Sequence, residues 1–203
     1  MFKKPSRPAN FTGPLIIALM AVVLYLLEPA AGQLLAYDRY AVQGMETWRM
    51  LSGNLVHTNG VHLLLNLAGL ALLWALHGEH YYLPTFLRVF LWACVGCSIG
   101  IYFFSDNLIW YAGLSGALHG VFVWGAFKDV EKNIHSGWIL LAGVALKIVY
   151  EQTTGANAEL EQWIDAAVAI DAHLYGALSG LFLFIIMRLL NTFGTRWALL
   201  TQK

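Results

Sequence analysis

Between Leu83 and Phe104 the chain runs for 22 residues with a single charge, Arg88. A helix needs about 20 mainly apolar residues to cross the roughly 30 Å hydrocarbon core of a bilayer, and this segment meets that length by itself. The rest of the chain has the same character. Hydrophobic residues make up 59% and charged residues 12% of the 203 residues, with a mean hydropathy of +0.61, against about 25% charged in ordinary soluble domains. So much apolar side chain does not fit into the core of a water-soluble domain this small. Lipid is the solvent such a sequence demands. Six apolar segments stand out, at 14–27, 61–76, 83–104, 108–127, 137–150 and 166–190. They predict an all-α membrane protein in which residues 1–203 form a single domain, a six-helix transmembrane bundle. Twelve Lys and Arg balance twelve Asp and Glu, which leaves no basic excess to hold a phosphate backbone and excludes nucleic acid as a partner.

Orientation follows from where the charges fall. With the amino terminus inside and six crossings, Lys3, Lys4, Arg7, Arg88, Lys128, Lys132, Arg188, Arg196 and Lys203 share the cytoplasmic side, nine of the twelve basic residues. The opposite side takes Glu28, Asp38, Glu46, Asp106, Glu151, Glu159, Glu161, Asp165 and Asp171, with only Arg39, Arg49 and Lys147 as bases. This satisfies the positive-inside rule and puts both termini in the cytoplasm. Lys3, Lys4 and Arg7 before an apolar run ending near Pro29-Ala30-Ala31 also have the form of a cleaved leader; the even number of crossings favours a retained first span. The first outer connection, 28–60, carries Leu34, Leu35, Tyr37, Tyr40, Met45, Trp48, Met50 and Leu51, side chains suited to the membrane interface. The connection 151–165 is acidic, holds Gly155 and is expected to act as a mobile flap. Cys94 and Cys97 lie in an apolar run without a nearby charge to activate a thiol, so they read as small buried residues rather than a redox pair.

Polar groups inside a membrane are costly unless paired or hydrated, so each is a functional candidate. Ser115 falls about seven residues below the outer end of the fourth span, which at 1.5 Å per residue is roughly 10 Å deep. His173 falls at a similar depth in the sixth. His62 and Asn66 occupy the outer turns of the second, four apart and hence on one face. Three helices thus bring Ser, His, His and Asn to one level on one side, a convergence that favours a polar cavity. A serine hydroxyl is a weak nucleophile until a base takes its proton, and a neutral imidazole suits that task near pH 7. Ser115 and His173 form a plausible dyad; His62, the Asn66 amide and the Ser115 backbone N–H are candidate donors to an oxyanion. Gly113 and Gly116 would let substrate backbone approach the nucleophile. His173, Gly176, Ala177 and Gly180 share a helix face, where the small residues allow close helix contact.

Metal chemistry is the rival reading, since His57, His62, His119 and His173 could all face the outer side. No carboxylate shares a helix face with any of them at a zinc-ligand spacing, and no His-Glu-x-x-His helix occurs; no metal is assigned. His77, Glu79 and His80 read as a solvated turn on the cytoplasmic side. Asp171 is a tempting third member for the dyad, but two residues along a helix it points about 160° from His173 and is not assigned.

Four pieces of the chain, in order, resemble the rhomboid family of intramembrane serine proteases: Trp48-Arg49; His57 and His62-Leu-Leu-Leu-Asn66; Gly113-Leu-Ser115-Gly116; and Ala172-His173-Leu-Tyr-Gly176-Ala-Leu-Ser-Gly180. The resemblance implies a six-helix bundle with a water-filled cavity open to the outside, a Ser115–His173 dyad, oxyanion help from His62 and Asn66, and no metal or organic cofactor. One position departs from the family pattern. Four residues after the nucleophile, where rhomboids typically carry a tyrosine stacked on the catalytic histidine, stands His119, which could take over that stacking. Within the family, Gly113-Leu-Ser115-Gly-Ala-Leu-His119-Gly120 and the minimal six-span length are similar to the rhombosortases of Gram-negative bacteria. That similarity implies an inner-membrane enzyme with its site facing the periplasm, and secreted substrates ending in a Gly-Gly motif, an apolar anchor helix and a basic tail. General rhomboid proteolysis of other single-span proteins stays open. An inactive, client-holding relative would lack the Ser or the His, and a transporter would need polar groups through both halves of the membrane.

Overall fold

The computed structural model describes residues 8–200. Lys3, Lys4, Arg7 and Lys203, all used in the charge count, lie outside the described residues, as does the side chain of Arg196. The described residues are mostly helical. A short helix α1 (Thr12–Leu26) leads into α2 (Ala30–Leu35), strand β1 (Tyr37–Asp38), α3 (Arg39–Gln43) and α4 (Arg49–Ser52). Then come α5 (Gly60–His77), α6 (Leu83–Phe104), strand β2 (Trp110–Tyr111), α7 (Ser115–Glu131), α8 (Ser136–Thr154), α9 (Ala158–Ile164) and α10 (Ile170–Leu200). Among the described residues, Gly60–His80, Leu83–Phe104 and Ile170–Thr192 are long and apolar enough to cross a membrane, and Thr12–Leu26 is a shorter apolar helix. Only 33%, 50% and 33% of the three long stretches is buried within the protein. Leu64, Leu72, Phe103, Phe182 and Leu189 accordingly face outward, a display of apolar surface that water would not tolerate and lipid does.

Helix α7 is the hub, packed against α5, α6, α8 and α10. Its residues are small where α10 crosses it. A Cβ on Gly176 would collide with the carbonyl oxygen of Gly116, and one on Gly180 with that of Gly120, so the two helices approach backbone to backbone. The basic residues Arg88, Lys128 and Lys132 sit at or near helix ends remote from Ser115, and Arg188 lies about four turns along α10 from His173.

Two helix starts differ from the sequence reading. The fourth segment becomes helical only at Ser115, because Trp110–Tyr111 pair antiparallel with Tyr37–Asp38 and Gly113 adopts φ +121°. The fold is therefore not purely α, and Ser115 begins its helix instead of lying seven residues down it. The sixth helix starts at Ile170 instead of 166, which places His173 in its first turn. Both shifts have the same sign, so the two residues stay level.

The first connection is anchored at several points. Arg39 is buried and donates to the carbonyl oxygens of Ile101, Tyr102 and Ser105 (2.8, 2.9 and 2.7 Å). It caps the last turn of α6, whose terminal carbonyls lack helical partners. Arg49 donates to Ala36 and Gln33 carbonyls and to Glu46, and the Gly113 N–H reaches the Gly53 carbonyl at 3.0 Å. The connection thereby braces the backbone that carries Ser115, while Tyr40, Met45 and Trp48 remain exposed.

At the far end of α5 and α7 the expected solvated turn is instead buried. His77 and His80 are 0% and 5% exposed and donate to the two oxygens of Asp129, itself 4% exposed, at 2.9 and 2.7 Å. Sequence distance hid this: Asp129 lies about 50 residues beyond the histidines it joins.

Candidate active site

Ser115 is the first residue of α7, where backbone N–H groups have no acceptor inside the helix and the helix dipole is positive. Its Oγ lies 3.0 Å from Nε2 of His173 on α10. The distance follows from the glycine contact below: Gly116 and Gly176, which touch, flank Ser115 and His173 by one and three residues. This is the geometry in which an imidazole can take a hydroxyl proton.

The ring of His119, one turn below Ser115, stacks on His173 with centroids 4.3 Å apart and planes at 20°. Its Nδ1 donates to the Ser115 carbonyl at 2.7 Å. The departure from tyrosine thus keeps an aromatic ring on the histidine face and adds a hydrogen bond to the nucleophile's own backbone.

His62 and Asn66, both buried on α5, border the same space. A Cβ on Gly113 would meet His62 Nε2 at 2.6 Å and Asn66 Nδ2 at 3.6 Å, so Gly113 is required both by its φ of +121° and by those side chains. Gly116 is different from what was expected of it. A Cβ there would meet Cys97 Sγ, Tyr111 Oη and the Ala172 carbonyl, so the glycine serves helix packing rather than substrate approach; Gly176 and Gly180 likewise serve the α7–α10 contact.

Thr58 Oγ lies 3.0 Å from His62 Nδ1 and 2.5 Å from the Ile164 carbonyl. A carbonyl oxygen only accepts, so the hydroxyl proton lies on the Ile164 contact and Thr58 Oγ accepts from His62 Nδ1–H, which leaves a lone pair on Nε2, facing Gly113. Turning that proton to Nδ1 would break the Ile164 bond and put the His62 proton on Nε2. His57 packs edge-on to His62, with centroids 5.1 Å apart, and burial, with His62 beside it, holds it down to about 3, so it is neutral.

The segment expected to be a flap contains α9, capped by the Asn157 side chain. It is docked: Asn59 Nδ2 donates to the Trp163 carbonyl at 2.9 Å, beside the Thr58 contact. Under it a cavity of about 40 Å³ lies between His62, Ser115, Trp110 and residues 166–169. On the other side of Ser115 opens an apolar groove of about 470 Å³ between α5 (Leu65, Asn66, Leu72) and α8 (Ile139, Gly143, Val144, Lys147), floored by Leu118, His119 and Phe122.

Thr58, Lys147 and Glu151 escaped the sequence reading as parts of this site. Glu151, counted there as an outer-loop charge, belongs to α8, and its Oε2 lies 2.9 Å from His173 Nδ1. Lys147, one turn earlier, sits 2.6 Å from Glu151 Oε1 and 3.4 Å from His173 Nδ1. Their i, i+4 spacing in a helix that runs past Tyr150 was the available signal. Asp171 is turned away, accepting from Ser105 Oγ and Gln152 Nε2. For metals, the described residues offer one cluster, Glu79, His80 and Asp129, with potential ligand atoms within 4.8 Å of one another. It lies at the opposite end of α7, about 20 Å from Ser115. Cys94 and Cys97 are free thiols buried on α6.

No curated protein matches the chain. A family model, the Rhomboid domain, matches residues 44–189, well over half the chain and every residue of the site just described. With its long apolar helices, the chain belongs to the rhomboid family of integral membrane proteins.

Proposed function

We propose that this protein is an intramembrane serine endopeptidase that cuts a peptide bond in or next to a substrate's transmembrane helix. The observation that carries the reading is the 3.0 Å contact from Ser115 Oγ to His173 Nε2 at the head of a groove that opens sideways between α5 and α8. Residues 1–203 act as one domain in which α1, α5, α6, α7, α8 and α10 make six crossings, with both termini cytoplasmic. Helices α7 and α8 are less apolar than the other spans: neighbours surround the first, and the second carries Lys147 and Glu151 towards His173.

A substrate helix enters from lipid along the groove and unwinds near Ser115, since a helical peptide bond is shielded from attack. Ser115 Oγ bonds to the scissile carbonyl carbon as His173 Nε2 takes its proton. The resulting oxyanion is met by the Ser115 backbone N–H and Asn66 Nδ2, and by His62 Nε2–H once Thr58 turns its proton from the Ile164 carbonyl to His62 Nδ1. The C–N bond then breaks, His173 returns the proton to the leaving amine, and a water activated by the same imidazole hydrolyses the acyl-enzyme. The cavity beneath α9 exceeds the space one water needs. No metal or organic cofactor takes part.

For the substrate we propose the rhombosortase class: secreted proteins with a carboxy-terminal Gly-Gly motif, an apolar helix and a basic tail, met at the periplasmic face of a Gram-negative inner membrane. Glycine before the anchor helix lowers the cost of unwinding. The test is cleavage, in membranes, of a reporter ending in such an anchor beside a reporter with an ordinary single-span helix. Cleavage of the first alone, lost in Ser115→Ala, is expected. Cleavage of the second as well would replace the narrow substrate class by general rhomboid proteolysis, and cleavage of neither would overturn the protease reading.

A further inference from the structure

A neutral imidazole carries one proton on either of its two nitrogens, and only the form with the proton on Nδ1 leaves Nε2 free to accept from a serine. Nothing in a Ser–His pair by itself selects that form. In this protein two groups with opposite demands flank Nδ1 of His173. The Glu151 carboxylate, 2.9 Å away, is an acceptor and requires Nδ1–H; the Lys147 ammonium, 3.4 Å away, is a donor and would be satisfied by an Nδ1 lone pair. The carboxylate is the nearer, and its second oxygen holds Lys147 at 2.6 Å. His173 is 5% exposed and the Glu151 side chain 14%, so water offers little substitute for either partner.

We propose that Glu151 is a positioning residue of this site: it keeps the proton of His173 on Nδ1 and Lys147 off that nitrogen, which leaves the Nε2 lone pair aimed at Ser115. The inference rests on the reading of Ser115 and His173 as nucleophile and base. It gives α8, the wall of the groove, a direct part in arming the site, since movement of α8 away from α10 would withdraw the carboxylate.

Glu151→Gln separates charge from shape. Lys147 would claim the amide oxygen and turn the NH2 towards Nδ1, which selects the wrong tautomer. In the double variant Lys147→Met/Glu151→Gln the amide is free to present its oxygen to Nδ1. The experiment combines 15N NMR of histidine-labelled protein, reading the tautomer of His173, with cleavage kinetics on the Gly-Gly reporter. The wild type is expected to carry Nδ1–H. Glu151→Gln should show Nε2–H and a kcat lower by about 10²- to 10⁴-fold with KM little changed. The double variant should regain Nδ1–H and at least about tenfold of the lost kcat, a rescue that a merely structural contact would not produce. Wild-type His173 carrying its proton on Nε2 overturns the inference without any variant, as does Glu151→Gln that retains Nδ1–H, whatever its activity. If the tautomers behave as expected but Ser115→Ala still cleaves, the protease reading fails and the assignment of Glu151 to the tautomer stands.

Discussion

Gly176→Ala tests whether the contact between α7 and α10 sets the distance on which the chemistry depends. The new methyl would collide with the Gly116 carbonyl oxygen, and restoring an ordinary contact of about 3.5 Å requires the helices to part by more than about 1 Å. Gly116 follows Ser115 directly and Gly176 is three residues from His173, so little flexible chain can absorb the displacement. The 3.0 Å separation of Ser115 Oγ and His173 Nε2 would open to about 4 Å, outside hydrogen-bond range. A misplacement of about 1 Å costs on the order of 10²-fold in rate, or about 2.7 kcal/mol of transition-state stabilisation. Overpacking should also lower stability by about 1–3 kcal/mol. The assay is kcat/KM on the reporter in detergent or liposomes, with thermal unfolding run beside it and Gly143→Ala as the comparison, because a Cβ at Gly143 meets nothing within 4 Å. Gly176→Ala that cleaves within about threefold of wild type would refute the reasoning.

Three further substitutions probe other parts of the structure. Gly143→Phe should fill the groove between α5 and α8 and raise KM by about tenfold or more while leaving Ser115 reactive towards a small serine probe; an unchanged KM would mean that substrate does not use the groove. Asp129→Ala strands the buried His77 and His80 nitrogens at about 1–3 kcal/mol each, so the midpoint of thermal unfolding should fall by several degrees, and an unshifted midpoint would contradict the role given to that network. Thr58→Val removes the hydroxyl that, turned from the Ile164 carbonyl, donates to His62 Nδ1, and should lower kcat by about 10²-fold at similar KM, with Thr58→Ser near wild type; equal activity of the valine variant would remove His62 from the oxyanion site.

The long apolar helices were legible because length and composition alone define them: the segment 83–104 coincides with α6, and 61–76 falls one residue short of α5 at each end. The stretch from Leu108 to Leu114 was misread as helix, since a short apolar run does not distinguish a strand from a helix; pairing with Tyr37–Asp38 decides it. Ser115, His173, His62 and Asn66 could be found because polar groups stand out in apolar segments. Glu151 could not, because an acid near the end of a span looks like any solvated loop charge until α8 is packed against α10. His77, His80 and Asp129 were hidden for the same reason: each is ordinary at a helix end, and only the packing of α5 on α7 makes them one buried network.

The central claim, that Ser115 is a nucleophile armed by His173, is tested most directly by labelling the protein in membranes with a fluorophosphonate and mapping the modified peptide. The account predicts a single adduct on Ser115 that disappears in Ser115→Ala and nearly disappears in His173→Ala. A folded wild-type protein that takes no label at Ser115, or labels equally well without His173, would contradict it.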